Sequence, residues 1–195
     1  MAFFRAVSFS EPAISIPGDV VALRAPQMAD FDEWAALREM SRDFLTPWEP
    51  TWPADDLSRG AFRRRLKRYY EDQRGDQAYP FFIFRNEDQA LVGGITITNI
   101  RRGVAQAGSL GYWMGAGYAR RGYMTAAIRN LLPFAFGTLK LHRVEAACIP
   151  SNLASIRLLE NTGFAREGYA RAYLCINGSW QDHLLYGRLN EPPHA

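Results

Sequence analysis

Between Tyr79 and Gly115 the helical spacing of apolar residues gives way to short apolar runs. YPFFIFRN, ALVGGITITNI and GSLGYWMG are short runs rich in β-branched and aromatic residues, and polar turns separate them. Runs of that composition, bounded in that way, read as consecutive strands. The stretch commits the chain to a sheet, and the flanking segments must be laid against it. Those flanks have helical spacing. QMADFDEWAALREMSRDFL carries Phe31, Trp34, Leu37 and Met40 one turn apart, with Asp30 in the N-cap position and Glu33 three residues later. A Pro- and Trp-rich connector, TPWEPTWP (residues 46–53), leads to a second helix. Asp55 or Asp56 is placed to cap it, and Phe62, Leu66 and Tyr69 or Tyr70 give it an apolar side.

VVALRAP, from Val20, reads as a first strand. After the three strands comes a helix over about 122–136, interrupted near its end by Pro133. HRVEAACI is a further strand. SNLASIRLLENTGF is a helix opened by Ser151 or Asn152, with Gly163 as the residue just past its end. YARAYLCINGSWQDHLLYGRL gives two strands joined by Asn177-Gly178, a type I′ hairpin signal. The order β-α-α-β-β-β-α-β-α-β-β implies an α+β fold. Its sheet is mixed, mostly antiparallel and twisted, with about seven strands and about four flanking helices. Residues 1–19, broken by Pro12 and Pro17, read as a flexible arm rather than a signal peptide; 20–190 form one domain and 191–195 a tail.

With 48% hydrophobic and 22% charged residues the composition is globular. No apolar run approaches the roughly 20 residues that cross a bilayer, so no membrane partner is expected. The net charge of +3 is modest, although RRRLKR at 63–68 concentrates positive charge and favours anionic partners mildly. Cys148 and Cys175, both in apolar segments, read as two buried thiols in a reducing compartment. No phosphate-cradling G-x-x-x-x-G-K-[ST] occurs. Ala107 stands at the first glycine position of a G-x-S-x-G around Ser109, and the three histidines and two cysteines lack zinc spacing; no metal is expected.

YARRGYMTAA (residues 118–127) is different in kind. A strand, LGYWMG, passes through AGYARR into a helix, GYMTAAIRNLL. A helix start leaves about four backbone N–H groups unpaired at the positive end of its dipole, which holds an anion without a metal. Gly122 lets the backbone approach a ligand, and Arg120 and Arg121 add charge-assisted contacts. On the residues alone, a helix start with two solvated arginines stays open as the alternative.

The segment resembles the acyl-CoA-binding motif of GNAT-family N-acetyltransferases, [RQ]-x-x-G-x-[GA], centred on Gly122. Ala119 stands at its Arg/Gln position, Met124 at the final small residue, and Ala126 where related enzymes often carry Glu. HRVEAACIPSNLASIRLLENTGFAREG is similar to the RimJ/RimL branch, with His142-Arg143-Val144, then Asn152 and Ser155, then Gly163-Phe164 followed by Glu167-Gly168. FLTPWEP (residues 44–50) and YLCINGSWQDHLLY (residues 173–186) resemble RimJ-type enzymes, which acetylate the N-terminal alanine of a small-subunit ribosomal protein. The resemblance implies the GNAT fold, acetyl-CoA as cosubstrate, and direct attack of an amine on the thioester with no covalent enzyme intermediate. It also implies a cytoplasmic monomer or homodimer acting on a protein N-terminus, ribosomal in origin. The RRRLKR helix then reads as a solvated basic face or a contact to ribosomal RNA or an acidic neighbour; no stable nucleic-acid binding is expected.

The same resemblance assigns roles. The backbone of Trp113 and Met114 pairs with the pantetheine arm. The amides of Gly122, Tyr123, Met124 and Thr125 take the pyrophosphate, with Arg120 and Arg121 supplying charge that Ala119 lacks. Asn152 either anchors pantetheine or caps its helix. Glu49 is the candidate base, its pKa raised in an apolar pocket made by Trp48 and Trp52, or else a loop carboxylate that attracts the amine. Ser155 donates a hydrogen bond to the departing thiolate, or is a helix-face residue. Leu159 stands where many relatives have a tyrosine acid, and Leu174 where some have a glutamate base. Trp48 and Glu49 belong to the substrate site, and Tyr173, Trp180 and Asp182, with His183, line a peptide cleft or cover the sheet edge. Two other readings stay open: an acetyltransferase for aminoglycosides or polyamines, and a non-catalytic acyl-CoA-binding, ribosome-associated protein.

Overall fold

The computed structural model describes residues 14–190. Eight strands form one sheet in the order β1-β2-β3-β4-β5-β6-β8-β7. They are β1 (Ser15–Ile16), β2 (Val21–Arg24), β3 (Tyr79–Arg85), β4 (Leu91–Arg101), β5 (Ala107–Met114), β6 (Arg143–Cys148), β7 (Ala165–Ile176) and β8 (Ser179–Leu189). The α-helices are α1 (Phe31–Met40), α2 (Arg42–Leu45), α3 (Arg59–Arg74), α4 (Tyr123–Pro133) and α5 (Leu153–Asn161). The expected α+β class holds, with one strand and one helix beyond the approximate count. The extra strand, β1, lies inside the stretch read as an arm and pairs Ser15 with Arg24 of β2. The extra helix, α2, is a single turn leading into the connector. Residues 1–13 of the expected arm and the expected tail lie outside the described residues.

β3 explains why the central run is continuously apolar rather than alternating. Phe81 and Ile83 enter a core with Val92, Ile95 and Ile97 of β4 and Ile128 and Leu131 of α4. Phe82 and Phe84 enter a second core with Trp34 and Leu37 of α1 and Phe62 of α3. A strand covered on both faces has no polar side to show. In the second core the Trp34 and Phe62 rings sit 4.7 Å apart. On the other face, Met124, Ala127, Ile128 and Leu131 recur at helical spacing and bury one stripe of α4.

Several local expectations are corrected. Asp30 precedes α1 but makes no side-chain cap. Its carboxylate accepts from both Arg24 terminal nitrogens at 2.9 and 2.5 Å and from Gln27 N, tying the helix start to β2. Glu33 accepts from Leu91 N at 2.6 Å instead of closing a capping box. α3 is capped by Ser58, whose hydroxyl accepts from Ala61 N, while Asp55 and Asp56 pair with Arg64 and Arg65. The helix over 122–136 is α4 alone; after Pro133 the chain widens into a π turn over Phe134–Thr138. Proline removes one i→i−4 bond, and a wider turn relieves the ring clash. Cys148 is buried, but Cys175 is exposed because β7 is the sheet's outer strand. The Asn177-Gly178 turn is as expected, with φ of 46° and 79°.

One feature of the sheet positions the site. All neighbouring strands are antiparallel except β5 and β6, which pair in parallel only from Ala107–Ser109 to Arg143–Glu145. Beyond Ser109, β5 pairs with β4 alone and β6 with β8 alone. The register of β4 on β5 shifts just after Thr98–Ser109, and Asn99 there has φ of 50°. A bulge bends its own strand and sharpens local twist, and this one, in β4, lies level with the last β5–β6 pair. Below the split, Arg101 of β4 and Arg143 of β6 both bind Glu145, and Arg143 also binds Glu167 of β7, lacing the strands.

Candidate active site

The separated strands open a cleft of about 1460 Å³, walled by β5, β6, the starts of α4 and α5, the 44–49 connector and the β7–β8 hairpin. The β5 edge facing β6 is left with unpaired backbone groups from Leu110 to Met114, the stretch that contains Trp113 and Met114. Trp113 lies against β4 because residue 94 is glycine: a Cβ there would stand 2.3 Å from the indole nitrogen.

From β5 the chain turns through residues 115–122 into α4. The first half is pinned by Gly115 N to Val92 O, Ala116 N to Ser41 Oγ and Tyr118 N to Gly115 O, each at 2.9 Å. Arg85 sits over the rings of Tyr118 and Tyr123 and donates to the Tyr123 hydroxyl at 3.3 Å. Arg120 and Gly122 then have φ of 60° and 83°, which swings the chain into the helix. α3 and α5 are capped by Ser58 and Asn152 side chains, whereas α4 begins with no side-chain cap. The amides of Tyr123, Met124 and Thr125 therefore open on the cleft. A Cβ on Gly122 would meet nothing within 4 Å. Arg120 and Arg121 are exposed and form no ion pair among the described residues. Uncapped amides, two free cations and open space suit a polyanion such as the CoA pyrophosphate.

Across the cleft, α5 presents Asn152 and Ser155. Asn152 Oδ1 accepts from Ser155 N at 3.0 Å, so the oxygen is the helix cap and only Nδ2 remains for a ligand. Ser155 Oγ lies 2.7 Å from the hydroxyl of Tyr112 on β5. Burial drives the Tyr112 phenol well above its usual range, so it stays protonated at any working pH. Burial, reinforced by Glu160, also pushes the Cys148 thiol up to about 11.

At the opposite end Glu49 is not in an apolar pocket. Arg38 donates to both its oxygens at 2.8 and 2.7 Å, and Trp52 Nε1 donates to Oε2 at 2.7 Å. The Arg38 guanidinium stacks 4.1 Å from the Trp52 ring and 5.0 Å from Trp113. Glu49 O accepts from Asn177 N at 2.9 Å, fastening the connector to the hairpin turn. Trp48 and Tyr173 line the cleft nearby, with Phe44 and Leu174. Trp180 and Asp182 do not. Trp180 is 68% exposed. Asp182 accepts from the Tyr169 hydroxyl and from Ala172 N, an amide that the β7–β8 register shift leaves unpaired. His183 is buried on the wall, its Nδ1 2.9 Å from Gln181 O.

The acetyltransferase (GNAT) domain profile matches residues 21–165. The chain belongs to the GNAT acetyltransferase family. A probable N-acetyltransferase of Bacillus subtilis, YjcK, is 35% identical over 175 residues, covering 90% of this chain and 97% of that one. The ribosomal protein uS5-alanine N-acetyltransferase of Escherichia coli is 31% identical over 89% of this chain and 90% of its own. Among solved structures, Mycobacterium smegmatis RimJ in complex with CoA-disulfide superposes with a TM-score of 0.85 at 31% identity, covering 95% of this chain and 89% of that one.

As a GNAT enzyme the chain is an acetyl-CoA-dependent acyltransferase, and its cleft is where the motifs meet. Trp48, Glu49, Trp113, Met114, Gly122, Tyr123, Met124, Thr125, Asn152, Ser155 and Tyr173 converge on it, while Arg121 stands just outside its lining beside Arg120. Sequence reasoning missed Tyr112 and Arg38. Tyr112 meets Ser155 across 43 residues of chain, with no local signal. Arg38 lies one turn after Trp34, on the apolar side of α1, and is buried there; its charged head group masks that signal in the sequence.

Proposed function

We propose that this GNAT enzyme acetylates the α-amino group of a protein N-terminus, with alanine as first residue and a ribosomal protein as its bearer. The charge state of the cleft carries the reading. Three carboxylates line it, Glu49, Glu145 and Glu167, and each is held by arginine: Arg38, Arg101 with Arg143, and Arg143. A polyamine or aminoglycoside needs unpaired acid to offset several positive charges, and among the described residues this wall offers none. An α-amine needs little help: with a pKa near 8, about a tenth is neutral at pH 7, against roughly one lysine side chain in 2,500. The E. coli relative named for uS5 alanine supports the acceptor class, and such a substrate places the enzyme in the cytoplasm.

In this reading the free edge of β5 at Trp113 and Met114 takes the pantetheine arm as an added strand. The amides from Gly122 to Thr125 take the pyrophosphate, Arg120 and Arg121 balance its charge, and Asn152 Nδ2 steadies the arm. The acceptor enters between Trp48 and Tyr173. Its nitrogen attacks the thioester carbon, the C–S electron pair moves to sulfur, and Ser155 donates a hydrogen bond to that sulfur; the nitrogen's proton leaves through water. Cys148 is a poor candidate for a covalent relay, since a thiol at about 11 is ionised in roughly one molecule in ten thousand at pH 7. Glu49, with three donors on its two oxygens, acts as a fixed anion that anchors the acceptor wall rather than as a base.

The test is initial velocity with acetyl-CoA against peptides differing in their first residue, beside spermidine and an aminoglycoside. Turnover led by Ala-initiated peptides supports the reading. Turnover confined to the small amines contradicts it.

A further inference from the structure

The Tyr112 side chain reaches from β5 to α5, where its hydroxyl ends 2.7 Å from Ser155 Oγ. Which hydroxyl donates follows from their chemistry. A phenol is a much stronger hydrogen-bond donor than an aliphatic alcohol, and its oxygen, conjugated to the ring, is the weaker acceptor. The favoured polarity is Tyr112 O–H to Ser155 Oγ. Ser155 is fixed from a second side as well, because its N–H is held by the Asn152 cap. Two of the freedoms of Ser155 are thereby removed, its backbone placement and its hydroxyl direction. With a lone pair of Oγ occupied by the tyrosine proton, the serine's own proton has to point away from Tyr112.

We propose that Tyr112 is a positioning residue that aims the Ser155 hydroxyl proton at the thioester sulfur and strengthens it as a donor. The inference rests on the role given to Ser155 under the proposed function. Donors in series polarise one another, so a serine that accepts from a phenol donates more strongly. No proton changes owner in this arrangement. As the C–S bond breaks, its electron pair comes to rest on sulfur, and the tyrosine–serine pair stabilises that charge before solvent protonates it. Burial keeps Tyr112 in the protonated form that the role requires. Nothing in the sequence near Tyr112 distinguishes it from a strand tyrosine covering the core; the splay of β5 from β6 gives it this function.

The experiment compares wild type with Tyr112→Phe, Ser155→Ala and the double variant by two readouts. The first is acetyl transfer to an Ala-initiated peptide. Tyr112→Phe should lower kcat about tenfold with the KM for acetyl-CoA unchanged. The double variant should be no slower than Ser155→Ala alone, since the tyrosine acts only through the serine. The second readout is the pKa of the CoA thiol in its binary complex, followed by the ultraviolet absorbance of the thiolate. It should lie below that of free CoA in wild type and rise by about one unit in both single variants. Because this titration needs no acceptor, a wrong assignment of the acceptor leaves it valid. A Tyr112→Phe variant with wild-type kcat and thiol pKa overturns the proposal. So do losses that multiply in the double variant, or a change confined to Tm and KM, which is what a purely structural tether would give.

Discussion

Arg38 and Glu49 show how far one pair can be misread when only one member stands out. Glu49 is conspicuous between prolines and tryptophans and invites the role of an isolated base. Its side chain is 20% exposed and that of Arg38 only 6%, and they form a bidentate pair. Removing one partner of a buried pair leaves the other charged and uncompensated, at a cost of about 3–5 kcal/mol; the partial exposure of Glu49 puts this case near the lower end. Glu49→Gln is therefore expected to lower Tm and raise the KM for peptide as the connector loosens from Asn177. The shape of the kcat/KM pH profile should stay that of wild type, which steady-state rates across pH will show. Loss of the acidic limb in the variant would restore Glu49 as the base. Glu49's partner was not legible because the pair forms only where the connector folds back on α1 beside Trp113 of β5, a strand far along the chain.

At the scale of elements, α4 was legible and the pairing of strands less so. Its apolar stripe, its entry at Gly122 and its uncapped start are properties of a dozen adjacent residues. Asn177-Gly178 was equally readable, because a type I′ turn is set by the two residues that form it. The caps of α1 and α3 went wrong for a different reason. Asp30, Asp55 and Asp56 have the right chemistry for caps, but arginines at Arg24, Arg64 and Arg65 bind their carboxylates instead. Cys175 was misplaced because an apolar run says nothing about whether its strand is central or outermost. The loop into α4 yields a prediction at this scale. Gly122 has φ of 83° and faces open space, so alanine there incurs roughly 1–2 kcal/mol of backbone strain and puts a methyl where the pyrophosphate would lie. The Kd for CoA of Gly122→Ala, by calorimetry, should rise about tenfold or more. Gly117→Ala is the control: it also faces open space but lacks a positive φ, and its Kd should match wild type.

For the molecule as a whole, a single interrupted register does most to create the site. The sheet is continuous from β1 to β7, yet β5 and β6 share only three paired positions before they part. Class, element order and the two halves of the cleft could be read from the chain, since each half is a local motif. The gap between them could not, because it depends on where the pairing of two strands distant in the chain stops. The resulting cleft has an uncapped helix start with two exposed arginines at one end, aromatic side chains at the other, and carboxylates already matched by arginines. That balance of charge suits an enzyme for one weakly basic amine on a chain rather than for polycations. The most direct measurement uses two versions of one Ala-initiated peptide that also contains lysine: one with only the α-amine free, the other with only the ε-amine free. Acetylation of the first alone, located by mass spectrometry after reaction with acetyl-CoA, is the predicted result. Acetylation of the second, or of neither while spermidine is consumed, would rule out selectivity for a protein α-amine.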